Sequence, residues 1–216
     1  VMGAEPIFAD INPETHNIDP NSIQERITKK TKAIIPVSHD GLPYDIDEVK
    51  KIADENNIIV VEDNAQAMLA KYKGRYVGQD ANITMFSFER TKHVSTGEGR
   101  ILITNNEELA TKARKFAGMG FKNLSAKKSD LVAGVPLEYQ TPNYERNDAV
   151  GLNYRFNEFL AAIALAQFEI ADQRVELRRS IAKLYTEIFS NTDFKIQKIP
   201  EGYTSSFFTY AVESPF

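Results

Sequence analysis

A chain of 216 residues, 42% hydrophobic and 26% charged, can bury one sizeable core or two modest ones. A formal net charge of -4 leaves no basic footprint for nucleic acid, and the absence of cysteine excludes disulfides, thiolate nucleophiles and cysteine metal sites. His16, His39 and His93 are too dispersed to suggest a metal site, and no apolar run approaches the roughly 18 residues that span a bilayer. With no signal-peptide pattern in the first residues, the expectation is a cytoplasmic protein.

The chain opens with a short strand candidate, Ile7-Phe8-Ala9, and has no start methionine, so it reads as beginning in mid-fold. Asp19-Pro20 sets a capping residue before a proline at the first helical position, and Ile23 and Ile27 follow one turn apart, which predicts a short helix. Ala33-Ile34-Ile35-Pro36-Val37 reads as a buried strand with Pro36 at an end or edge. After a turn at Asp40-Gly41-Leu42-Pro43, Asp45 and Glu48 have capping-box spacing, and Ile46, Val49, Ile52 and Ala53 repeat with helical period.

Ile58-Ile59-Val60-Val61 is apolar at every position, as a parallel strand covered on both faces should be. Strand, helix and strand then form a right-handed crossover, and ligands in such sheets sit beyond the carboxyl ends of the strands, where Glu62 and Asp63 fall. Ile83 to Phe88 and Gly99 to Thr104 read as two further strands, and Asn105 or Asn106 caps a helix bearing Leu109, Ala113, Phe116 and Ala117. From Phe121 to about Val150 no period is sustained. A stretch of that length is expected to be a lid, a binding loop, a subunit contact or a flexible insertion.

Asn157 to about Phe189 carries a long helical period, expected to bridge two domains with or without a break. Short β-like runs such as Phe207 to Val212 follow, as at the start of a second domain. The expected organisation is a large domain over 1–156, a bridging helix over 157–190 and the beginning of a small α+β domain over 191–216. Gly118-Met119-Gly120 lacks the third glycine and the preceding strand of a dinucleotide motif.

Between two of these strands lies Lys92. A partly desolvated lysine where a chain leaves a strand is a nucleophile for imine chemistry, although an ordinary surface lysine in a turn fits the same residues. With Asp63 at one strand end and Ser87 and Lys92 at or after another, an amine, a carboxylate and a hydroxyl share one rim. That set meets the needs of pyridoxal phosphate: a Schiff-base lysine, an acid for the pyridine nitrogen, and donors for the phosphate.

Four motifs in order add a resemblance. Glu62-Asp63-Asn64-Ala65-Gln66-Ala67, Phe86-Ser87-Phe88 with a lysine five residues after the serine, Gly97-Glu98-Gly99, and Gly151-Leu152-Asn153-Tyr154-Arg155 before an Ala-rich helix are similar to the DegT/StrS-type aminotransferases. The resemblance extends over nearly the whole chain, including Tyr72 to Gly78. It implies an α/β fold with a mostly parallel sheet and helices on both faces, the large domain of fold type I, truncated at both ends. It implies a pyridoxal 5'-phosphate enzyme and a homodimer with shared sites. It implies amino transfer from glutamate to a keto sugar on a nucleotide carrier.

By that resemblance Lys92 holds the coenzyme and shuttles protons, Asp63 pairs with the pyridinium nitrogen, Gln66 contacts the phenolic oxygen and Ser87 binds the phosphate. Asn153 reaches the phosphate of the coenzyme held by the neighbouring subunit. The family's Gly-Glu-Gly-Gly reads Gly97-Glu98-Gly99-Arg100 here. Relatives that replace the lysine by histidine are dehydratases; here the lysine is kept, which points to transamination. The alternatives are a coenzyme-binding regulator of the same fold without turnover, and a structural dimerisation fragment.

Overall fold

A computed structural model describes residues 3–127 and 141–215. The helices form where the caps are. In α1 (Pro20–Arg26) the Asp19 carboxylate accepts from Asn21 N, and in α2 (Ile46–Glu55) Asp45 accepts from Glu48 N. Of the two asparagines proposed to cap α3 (Glu107–Ala117), Asn106 is the one, accepting from the backbone N–H of Glu108 and Leu109.

The central sheet holds four strands in the order β1 (Ala33–Ile34), β2 (Ile59–Asp63), β5 (Ile83–Ser87), β6 (Arg100–Ile103), with β1, β2 and β5 parallel. Pro36 lies just past the end of β1, at the edge strand of the sheet. It has no N–H to give, but its carbonyl accepts from Asp63 N, and Ser38 N donates to Asp63 O, so β1 and β2 stay aligned to the rim. The core under this sheet is Ile34, Val49, Ile52, Ala53, Val60, Phe86 and Phe88, with α2 packed on β2 and α1 on α2.

The expectation that β2 is covered on both faces does not hold along its whole length: Ile58 and Val60 are buried, but Ile59 is 37% exposed. Ile35, Ile101, Leu102 and Ile103 are exposed as well.

Two short strands, β3 (Lys71–Tyr72) and β4 (Arg75–Tyr76), form a hairpin, and β8 (Tyr203–Thr204) pairs with β3 to make a three-stranded sheet. The long helical stretch breaks into α4 (Glu158–Phe168) and α5 (Ala171–Phe189). Beyond it, β7 (Lys195–Ile196) pairs with β9 (Val212–Glu213). Phe207 to Val212 is therefore not one strand. Phe207 has a φ of 48°, which breaks an extended run, and only Val212 at its end is in a strand.

The chain divides into two compact units, one of residues 1–102 and 159–216, the other of 103–158. In the second unit the backbone after α3 meets the segment around Leu152: Met119 N donates to Leu152 O, and Gly118 is bridged to Asn153. A Cβ on Gly120, whose φ is 75°, would stand 1.8 Å from the Ala149 carbonyl oxygen. Gly118-Met119-Gly120 thus serves a backbone crossing. The unpatterned stretch from 121 to 150 falls partly on residues 128–140, outside the described residues, so its expected role as lid or loop is carried no further.

Candidate active site

The carboxyl ends of β2 and β5 lie side by side. Asp63 is in register with Met85, which puts Ser87 two residues, about 6.6 Å, further along the neighbouring strand. Alternation along β2 separates two adjacent acids: Glu62 is 1% exposed in the core, whereas Asp63 is half-buried at the rim. Burial raises the Glu62 carboxyl above the usual range, opposed by the Asn64 amide and the Thr84 hydroxyl, which donates to Glu62 Oε2 at 2.9 Å. Asp63 Oδ1 accepts from Ala65 N at 2.9 Å, which turns the chain sharply after the strand and leaves Oδ2 uncommitted among the described residues.

That turn carries Gln66. Its Oε1 accepts from Asp40 N at 2.8 Å. A backbone N–H can only donate, so the amide orientation is fixed and the Gln66 NH2 is the end left to donate elsewhere. Ser87 Oγ accepts from Glu89 N at 3.2 Å, which likewise leaves its O–H as a donor.

Lys92 sits in a loop closed at its base by Phe88, whose N–H donates to Gly99 O while its carbonyl accepts from Thr96 N. Gly97 and Gly99 have φ of 83° and 126°, so the Gly-Glu-Gly run supplies the backbone that returns the loop to the sheet; Arg100 then opens β6, exposed. Inside the loop Glu89 Oε2 accepts from the N–H and hydroxyl of Thr91, and Lys92 N donates to Glu89 O. The half-buried Lys92 side chain makes no hydrogen bond or ion pair among the described residues, and its Nζ lies 4.5 Å from the centre of the Phe208 ring.

Within the first unit the structure therefore places Asp63, Gln66, Ser87 and Lys92 at one edge of the sheet. Asn153 lies in the second unit, exposed, its Oδ1 accepting from Arg155 Nε at 3.0 Å.

Several neighbours of this edge escaped sequence reasoning. Asp40, at a φ of 57°, is buried and pairs through Oδ2 with His39 Nδ1 at 2.9 Å, and Thr209 donates to its other oxygen. Its backbone carbonyl accepts from Phe208 N. The segment Ser205–Thr209 thus straps the rim, and its four carbonyls from Ser205 to Phe208 are all engaged by side chains. Arg179 donates to Ser205 O, His93 Nε2 to Ser206 O, and Arg178 to Phe207 O and Phe208 O. The only trace in the sequence was the pair of aromatics, which looked like part of a strand.

Among the described residues an amine, a carboxylate oxygen, an amide NH2 and a serine O–H are left to bind at the end of adjacent parallel strands, and they fit the donor set that pyridoxal phosphate requires. An α/β protein with such a rim belongs to the broad class of ligand-binding sheets with sites outside their carboxyl ends. The particular family follows from comparison: the chain belongs to the DegT/DnrJ/EryC1/StrS aminotransferase family, whose model matches residues 1–216.

Among its relatives, the GDP-perosamine synthase of Escherichia coli O157:H7 is 38% identical over 183 residues, 85% of this chain and 45% of that protein. Helicobacter pylori PseC, an aminotransferase involved in the biosynthesis of pseudoaminic acid, superposes with a TM-score of 0.83 at 27% identity, covering 97% of this chain and 52% of PseC. The E. coli GDP-4-keto-6-deoxy-D-mannose-3-dehydratase, solved with bound hydrated PLP, gives a TM-score of 0.79 at 26% identity over 95% of this chain and 52% of that one. The chain spans about half the length of the curated relatives it matches. Among the described residues no helix is long and apolar enough to cross a membrane, and no group of three or more His, Asp or Glu could hold a metal ion.

Proposed function

We propose that this chain is the catalytic portion of a pyridoxal 5'-phosphate-dependent aminotransferase that moves an amino group, from glutamate, to a keto sugar carried on a nucleotide. The observation that carries the reading is the convergence of Asp63, Gln66, Ser87 and Lys92 on one sheet edge in a member of an aminotransferase family. The coenzyme, when bound, supplies an electron sink for the carbon that loses its proton.

The protein's own residues hold the coenzyme and move the proton. Lys92 bears it and passes the proton as general base and then acid. The Asp63 carboxylate keeps the ring nitrogen protonated, the Gln66 NH2 donates to the phenolic oxygen, and the Ser87 hydroxyl donates to the phosphate. Asn153 completes the phosphate contacts of the neighbouring subunit in a cytoplasmic homodimer. The apolar character of α4 supports such a dimer. Phe159 is 84% and Leu165 70% exposed on a helix whose sequence is apolar nearly all round, the pattern of a buried helix. The division into 1–156, 157–190 and 191–216 belongs to the same proposal.

The nucleotide-sugar substrate follows the named activities of the relatives, GDP-perosamine synthesis and pseudoaminic acid biosynthesis. The test is reduction of the full-length holoprotein with borohydride and mapping of the label, followed by amino transfer against a panel of keto-sugar nucleotides. Label on Lys92 with turnover supports the reading; label on another lysine sinks it. A regulator of the same fold would bind coenzyme without converting it to its amine form in the presence of glutamate.

A further inference from the structure

Next to Lys92 stands a histidine that the proposed reaction does not use. His93 is 3% exposed, and its Nε2 lies 3.0 Å from the carbonyl oxygen of Ser206. A carbonyl only accepts, so the proton sits on Nε2 and Nδ1 is a bare acceptor, buried and without a partner among the described residues. Two residues beyond Ser206, the Phe208 ring rests 4.5 Å from Lys92 Nζ and 5.9 Å, centre to centre, from the His93 ring.

We propose that His93 is a positioning residue for Lys92: its Nε2–H clamps the Ser206 carbonyl and so fixes the Phe208 ring against the lysine amine. The proposal rests on the reading of Lys92 as the coenzyme-bearing residue. Among the described residues, the side chains that engage the strap's carbonyls are Arg178 and Arg179 from α5 and His93 from the loop of Lys92. The His93 bond thus ties the loop to the strap directly.

The chemistry of the residue suits the place. Three cations face the imidazole, Arg178 and Arg179 from α5 and Lys92 from its own loop, and a charged donor would add a fourth. Burial, and then the charges of Arg178, Lys92 and Arg179, push the imidazole down to about 4, against the Ser206 bond that favours the charged form. At neutral pH His93 donates without carrying charge. Glutamine can place a neutral N–H where Nε2 stands; leucine fills the space and cannot donate.

The experiment compares full-length wild type, H93L and H93Q as apoproteins. Hydrogen exchange reads the amides of Lys92–Val94 and Ser206–Phe208, and borohydride trapping with peptide mapping reads the rate at which Lys92 captures added pyridoxal phosphate. H93L is expected to speed exchange in both segments and slow capture, each by about three- to tenfold, the effect of one lost hydrogen bond. H93Q is expected to restore both. Wild-type exchange at Ser206–Phe208 in H93L overturns the clamp, and so does an H93Q protein that behaves like H93L. A wild type that takes no label on Lys92 refutes the coenzyme reading, while the exchange comparison still decides the clamp. Should H93L fail to fold, F208A, which keeps the clamp but removes the ring, is expected to slow capture to the same degree with Ser206 exchange unaltered; unaltered capture overturns the proposal.

Discussion

The rim at Asp63 and Lys92 and the crossing at Gly120 are built by opposite means. At the rim, side chains do the work: a carboxylate turns the chain, an amide is oriented by a backbone N–H, and four carbonyls of the strap are engaged by Arg179, His93 and Arg178. At the crossing the side chains are missing where it counts, and a Cβ on Gly120 would meet the Ala149 carbonyl oxygen at 1.8 Å. The difference teaches that the first region should respond to substitution in its chemistry and the second in its stability.

The largest separation is expected from K92R in the full-length protein. It keeps the positive charge but removes the reactive primary amine, and amino transfer should fall by about 10³-fold or more with the melting temperature unchanged. Loss of stability together with activity would erase the contrast. G120A should do the reverse. A methyl at a positive φ against backbone costs at least about 2 kcal/mol, which lowers the melting temperature by about 4–8 °C in a scanning calorimeter.

Smaller effects sharpen the rim. Q66A removes one oriented donor and should weaken pyridoxal phosphate binding by about tenfold in an equilibrium titration. Asp40 N, which Gln66 Oε1 had accepted from, should then exchange faster.

The subtlest test is in acid. His93 titrates at about 4 in the folded chain and near 6.5 when unfolded, so the unfolded state binds more protons in that window and stability rises with pH across it. Glu62 has the opposite sign: burial raises its folded value above the ordinary carboxylate range, so the folded state binds more protons just above that range and stability falls there as pH rises. In denaturant titrations from pH 4 to 7, H93Q should flatten the loss of stability on acidification, and E62Q should steepen it. Unchanged slopes in both variants would mean that neither group is held as the geometry implies.

What could be read from the sequence follows the same division. Capping residues Asp19, Asp45 and Asn106 announce their helices because the side chain that caps is the signal. Spacing after two apolar runs was enough to set Asp63, Ser87 and Lys92 on one edge, whereas Gln66 entered only through the family resemblance. Asp40, Ser206 and Phe208 were not. Their parts are played by backbone groups and by a contact across more than 100 residues, which no local period encodes. Phe207 to Val212 has a strand's composition, yet β8 pairing and the side-chain donors of α5 bend it into a strap, a tertiary override of propensity. Likewise Ile59 matches a doubly covered strand in sequence but not in exposure.

The four engaged carbonyls of the strap have a consequence for variation in length. A strand paired in a ladder can slip by a residue pair and regain most of its bonds, but the four carbonyls from Ser205 to Phe208 are addressed by three donors, Arg179, His93 and Arg178, fixed on two elements. A single insertion or deletion there would dislodge every bond at once. Homologous chains should therefore tolerate gaps in the turns on either side of residues 205–208 and none within them.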